Sequence, residues 1–306
     1  MNKIRVVFDA SCKASNNISL NDTIFIGPKL QADIAQLLLV FSNETGGLYL
    51  RHSSDVQTNL DCSWTSTFSI NALDPIQSYQ LNTVTYAVAF APFLAIRPLL
   101  HLADLGHSQF PLASKALREN LYVDDLVCCS ESLEEATEVK SQLIKLLSSA
   151  CFELRKWASN RVELLEDIPE GHKQLQPSNF DRDSQVALKV LGLQWNAPSD
   201  SFSFSVKPND LSCTKRNILS EIARIYDPLG FLCPDSFLVK YIIQLLWKAG
   251  VDWYQEAPTP ISQLWNHLKE QLSTLSSVKI PRHVPLFVTA DCQLHGFCDA
   301  SERGYG

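Results

Sequence analysis

Leu121-Tyr122-Val123-Asp124-Asp125-Leu126-Val127 is the stretch on which the reading of this chain turns. Two adjacent carboxylates interrupt an apolar run, a pattern that predicts a tight β-hairpin whose turn presents both acids. Paired carboxylates in that geometry suit Mg²⁺ handling a nucleoside triphosphate, because the hard cation takes oxygen ligands and keeps positions for phosphate. Taken alone, the same residues also describe an Asp-rich solvated turn. Their meaning depends on their neighbours.

The chain has 306 residues and 45% hydrophobic content, enough for buried cores in one large or two to three medium domains. No run approaches the roughly 18 uninterrupted apolar residues that span a bilayer. The start, Met1-Asn2-Lys3-Ile4-Arg5, leads into a strand-like run ending at Asp9 and not into a signal-peptide core, so an intracellular protein is expected. Nine cysteines without a C-x-x-C pair or a histidine at zinc spacing read as buried, reduced thiols. The net charge of −7 runs against nucleic-acid contact. Cationic strips at Arg155, Lys156 and Arg161 and at Lys215, Arg216 and Arg224 run the other way.

Periodicity predicts an α+β fold. A strand is expected over 3–9, and a helix at about 29–41 after Pro28, with Leu30, Ile34, Leu37, Leu38 and Phe41 as its stripe. Residues 42–73 fit neither template, and no regular strand beside the hairpin is expected from them. A strand over 79–86 and a helix entered through Pro92 follow. Ser132, with Glu135 three residues on, marks the N-terminus of a helix whose buried face is Leu133, Ala136, Val139, Leu143, Leu146 and Leu147. Strands are expected over 152–157, 190–195 and 202–206, with a loop over 169–184. Helices are expected over 212–226, 234–250 and 260–275, the first two separated by Pro228-Leu229-Gly230, and a last strand over 296–299.

Several of these segments, in this order, resemble reverse transcriptases, most closely those of BEL/Pao-type retrotransposons. Residues 5–11 with 19–22 resemble a fingers segment; Leu81 to Tyr86 with Ala91-Pro92-Phe93 resemble a palm helix and its approach. Tyr122-Val123-Asp124-Asp125 matches the metal-binding hairpin. Leu154 to Asn160 and Leu191-Gly192-Leu193-Gln194-Trp195 match the strands beyond it, and Ile222 to Phe231 matches a segment distinctive of the family. The resemblance implies fingers and palm over 1–165, disrupted at 42–73, a helical thumb or connection over 166–280, and the start of an RNase H-like domain over 286–306. It implies Asp124 and Asp125 as catalytic ligands of Mg²⁺, Arg5 as a triphosphate contact and Tyr122 as a support for the primer end. Asp299 would be a first RNase H carboxylate, left in an unpaired strand edge where the chain stops. An RNA template with a DNA primer and deoxynucleotides would be the partners, with no membrane.

The chain departs from that pattern in one decisive place. A third palm carboxylate belongs on a strand ahead of the palm helix, and the acids available there, Glu44, Asp55 and Asp61, sit in unrelated surroundings. Ala87 and Phe90 stand where glycine and a small polar residue belong. The expectation is a polymerase by descent that no longer polymerises, and the alternative is a co-opted nucleic-acid-binding or interaction module that keeps the cationic strips.

Overall fold

The computed structural model describes residues 9–52, 88–174, 188–204, 211–284, 295–296, 300–301 and 304–305. The expected strands over 3–9 and 79–86 lie wholly or almost wholly outside the described residues, as do Arg5, Asp55, Asp61, Ala87 and Asp299.

Helix α1 (Ile34–Asn43) begins later than Pro28 suggests, because the Asp33 carboxylate accepts from the amides of Ala35 and Gln36 and so fixes the first turn. Strand β1 (Gly46–His52) follows directly. The expectation that 42–73 holds no strand beside the hairpin is therefore wrong for this part of it. Leu48 and Leu50 point into one apolar cluster and Tyr49 into another, so the strand is covered on both faces and lacks the alternation that a one-sided strand shows.

Helix α2 (Ala91–Gly106) starts at Pro92 as the sequence predicts, and α3 (Pro111–Glu119) is a short helix that periodicity did not single out. Strands β2 (Leu121–Tyr122) and β3 (Asp125–Ser130) form the predicted hairpin. Ser132 Oγ accepts the Glu135 amide at 3.1 Å to open α4 (Leu133–Ser149), whose Ala136, Val139, Leu143, Leu146 and Leu147 are buried as expected, while Leu133, expected with them, is exposed. With β4 (Leu154–Ser159) the first sheet is complete, antiparallel in the order β2-β3-β1-β4. Leu48, Leu50, Leu126 and Cys128 pack with α2, α3 and α4, while Tyr49, Val127 and Ala158 on the opposite face pack with α1 and the second half of the chain.

The second sheet takes β5 (Leu188–Val190), β6 (Leu193–Asn196) and β7 (Ser201–Ser203) in antiparallel succession. Residues 190–195, read from sequence as one strand, turn back at Leu191 and Gly192, with φ of 48° and 92°. Two consecutive positive-φ residues match the twist of a two-residue hairpin. An ideal Cβ on Gly192 lies 2.6 Å from the Tyr226 ring. Gly192→Ala is therefore expected to cost about 1–3 kcal/mol of stability, through both backbone strain and overpacking, measured by urea denaturation.

Helix α5 (Lys215–Ile222) lies within its predicted segment, α6 (Cys233–Lys248) and α7 (Thr259–Leu272) each begin one residue ahead of theirs, and the break at Pro228-Leu229-Gly230 is in place. Strand β8 (Lys279–Pro281), in a stretch to which the sequence patterns assign no element, adds to β7 and closes the second sheet. Trp195, Phe202, Ile242, Leu246, Trp265 and Leu268 form the centre of this half, with Phe41 of α1 set edge-on to Trp195 at 5.1 Å. Beyond it, β9 (Ala300–Ser301) and β10 (Gly304–Tyr305) pair with one another, so the expected unpaired edge is a hairpin at these positions.

The two halves are fastened by a polar knot around Arg282, which is fully buried. Its Nε and Nη2 donate to the two Asp200 carboxylate oxygens at 2.6 and 2.9 Å, its Nη2 also donates to Thr45 O, and its Nη1 donates to Phe41 O. Asp200 further accepts from Trp195 Nε1 and from Asn160 Nδ2, each at 3.0 Å, and Asn160 Oδ1 accepts the Gly47 amide. A Cβ at Gly47 would stand 3.1 Å from the guanidinium, so glycine is what lets Arg282 approach β1.

The thiols are less buried than expected. Among the described cysteines only Cys128 is fully buried, and burial pushes its pKa up to about 12; Cys12, Cys151 and Cys233 are exposed, and all are unbridged. Among the described residues no helix is long and apolar enough to cross a membrane.

Candidate functional site

The hairpin between β2 and β3 places Val123 and Asp124 in the turn, with Tyr122 paired across to Asp125. Val123 takes a φ of 55°, a conformation unfavourable for a β-branched residue. Antiparallel pairing with β1 then sets Arg51 directly opposite Asp125. The register puts Tyr49, Arg51 and Asp125 on the sheet face turned away from α2, α3 and α4.

Those three side chains bond each other. Arg51 Nε donates to Asp125 Oδ1 at 2.6 Å and Nη2 donates to Oδ2 at 3.2 Å, while the Tyr49 hydroxyl donates to Oδ1 at 2.9 Å. Asp124 Oδ2 lies 3.4 Å from the same Arg51 Nε, within ion-pair reach of it. Asp125 is buried, while Asp124 and Arg51 each retain about a third of their side-chain exposure. The Asp125 hydrogen bond holds the Arg51 guanidinium more firmly protonated than usual, with burial opposing it. Burial chiefly, and then the Asp125 charge, raises the Tyr49 phenol far above its ordinary range, so Tyr49 remains a donor.

A divalent metal fits this donor set poorly. Mg²⁺ requires near-octahedral oxygen ligation at about 2.0–2.1 Å. Both Asp125 oxygens already accept from Arg51 or Tyr49, and a dication at Asp124 would meet the Arg51 charge. Among the described residues no group of three or more His, Cys, Asp or Glu is arranged to hold a metal ion. Arg51 and Tyr49 were not singled out by sequence reasoning. The only signal was the apolar Leu48-Tyr49-Leu50 run, and its partner lies more than seventy positions away.

Tyr122 is half-buried beside the second half of the chain. Tyr226 stands near it: burial raises the Tyr226 phenol above its ordinary value, and Tyr122 and Asp33 add to the effect. Tyr226, Gly192, Lys189 and Arg224 also line a notch of about 100 Å³ at the β5–β6 turn. Of the cationic strips, Arg155 is paired with Glu153 at 2.6 Å, and Lys156 sits at a φ of 55° where β4 shifts register against β1. Arg216 lies over the Tyr254 ring at 5.3 Å.

An antiparallel sheet with an acid-bearing hairpin, backed by helices and joined to a second sheet with a helical layer, makes this an α+β protein. Residues 214–306 match the family model of the Pao retrotransposon-like RNaseH-like domain. The fold is similar to that of a foamy viral protease-reverse transcriptase dRH, solved in complex with double-stranded DNA, at 13% identity and a TM-score of 0.50. That likeness covers 88% of this chain and 41% of the viral one, so the chain spans less than half the viral protein's length. No curated protein matches the chain.

Proposed function

We propose that this chain is a BEL/Pao-type reverse-transcriptase module by descent in which the polymerase carboxylates serve as a structural ion pair and no longer support nucleotidyl transfer. The match over 214–306 supports the retrotransposon lineage, the fold likeness supports the architecture, and the ordered motifs around Asp124 and Asp125 support the alignment of the two. On this reading residues 1–165 descend from fingers and palm, 166–280 from the thumb or connection, and 286–306 from the start of an RNase H-like domain, with the RNaseH-like family match already beginning at 214 inside the second of these.

The observation that carries the reading is Arg51. Phosphoryl transfer depends almost wholly on positioning and on neutralising charge with metal ions. A guanidinium bonded to both oxygens of Asp125, and within ion-pair reach of Asp124, occupies the position from which those carboxylates would bind a metal. Purified protein is therefore expected to incorporate no deoxynucleotide into a DNA primer on an RNA template, with Mg²⁺ or Mn²⁺. Mg²⁺-dependent extension that disappears in Asp124→Asn would overturn the reading. Binding of the same primer-template duplex without turnover, followed by fluorescence anisotropy, is the expected residual activity. The cations and aromatic rings exposed near α5 favour such a nucleic-acid-binding role.

A further inference from the structure

At one end of α5 and α6, three large aromatic side chains are exposed together. Trp247 is 57% exposed, Trp253 50% and Tyr254 74%. They are not loose. The two tryptophans meet edge to face at 6.3 Å, Lys215 Nζ lies 3.8 Å from the centre of the Trp247 ring, and Arg216 both covers Tyr254 and donates from Nη1 to its hydroxyl at 2.8 Å. The Arg216 amide donates to Trp253 O, and Lys215 Nζ, on a buried side chain, donates to Val251 O at 2.7 Å. The rings are thus held at fixed positions, with little rotamer freedom left to lose on binding.

The cations of this cluster form no ion pair among the described residues. Among the described residues Lys215 and Arg216 bond neutral acceptors, a carbonyl and a phenol, and Lys248, the residue after Trp247, is exposed. The acids in the same loop, Asp252 and Glu256, are exposed and bond neither cation among the described residues. Ring faces beside such cations suit a ligand that offers flat π surfaces and negative charge at a short repeat. A single-stranded polynucleotide offers both, since every base has a stackable face and every linkage a phosphate.

We infer that Trp247, Trp253, Tyr254 and Arg216 form a stacking platform for single-stranded nucleic acid, separate from the hairpin site. The inference rests on the nucleic-acid reading above and assigns it a surface. Stacking tolerates any base, so binding is expected to be independent of sequence and to weaken with salt.

The test titrates the full chain with an oligothymidylate of about 15 nucleotides, within the span that one stacking groove covers, and reads tryptophan fluorescence. Saturable quenching is expected. The double variant Trp253→Ala/Tyr254→Ala is expected to bind about 10- to 100-fold more weakly. Arg216→Ala is expected to reduce the dependence of affinity on salt by about one phosphate contact. Affinity for a blunt primer-template duplex should stay within about twofold in both variants, a change too small to represent a lost base stack. Tyr254→Ala alone, which removes a side chain three-quarters exposed, serves as a second variant with little bearing on folding.

Undiminished oligothymidylate binding by the variants would overturn the platform. Duplex binding without oligothymidylate binding by the unaltered chain would overturn it while leaving the nucleic-acid reading intact, and failure to bind either would overturn both. Self-association of the unaltered chain in sedimentation, abolished in the double variant, would show that the patch is an interface between copies and overturn the platform as well.

Discussion

Replacing Arg282 by Met is expected to cost about 3–5 kcal/mol, the cost of removing one partner from a buried charge pair. The side chain is fully buried, and its fork satisfies Asp200 on both oxygens while capping the carbonyls of Phe41 and Thr45. Without it, Asp200 keeps only Trp195 and Asn160 as side-chain donors, and two carbonyls near β1 lose a partner. Domains of this kind are stable by only about 5–15 kcal/mol, so the loss is a large share of the whole. Arg282→Lys is expected to recover less than half of it, because an ammonium cannot reproduce the bidentate contact. Urea denaturation of both variants, with Asp200→Asn in a double-mutant cycle, measures the coupling, which is expected at about 1–3 kcal/mol. A loss below about 1 kcal/mol in Arg282→Met would show that the knot contributes little to joining the two halves.

The second large effect separates an ion pair from a metal site. Asp125→Ala leaves the Arg51 guanidinium and the buried Tyr49 hydroxyl without their acceptor. Arg51 keeps a third of its side-chain exposure, so water recovers part of the cost, and a loss of roughly 2–3 kcal/mol is expected. Asp124→Ala, at the turn and only weakly paired, should change stability by no more than about 0.5 kcal/mol. Two adjacent carboxylates kept for a metal would behave in the opposite way in divalent-free buffer, since neutralising either relieves their repulsion. The measurement is chemical denaturation in chelator. A gain in stability for Asp125→Ala would mean that Arg51 does not neutralise the pair, and the proposed loss of metal-dependent chemistry would fall with it.

What the sequence alone determined is what short-range physics governs. Ser132 and Glu135 announce the start of α4 because a cap is satisfied within three residues. Pro92 announces α2, and the Asp124-Asp125 pair between apolar runs announces its hairpin for the same local reason. Even the turn at Leu191 and Gly192 was written locally, although a continuous apolar run hid it.

Only the tertiary structure decided the state of the candidate site. β1 has apolar residues facing both ways because helices cover one side of the sheet and the second half of the chain covers the other, so no alternation marks it. Its pairing register, fixed by that two-sided burial, brings Arg51 to Asp125 across 74 positions, just as β8 brings Arg282 to Asp200 across 82. Neither arginine carries a local signal, since a cation's partner is chosen by where the fold delivers a carboxylate. The acid pair that reads as a metal site in one dimension meets, in three, an arginine 74 positions from Asp125.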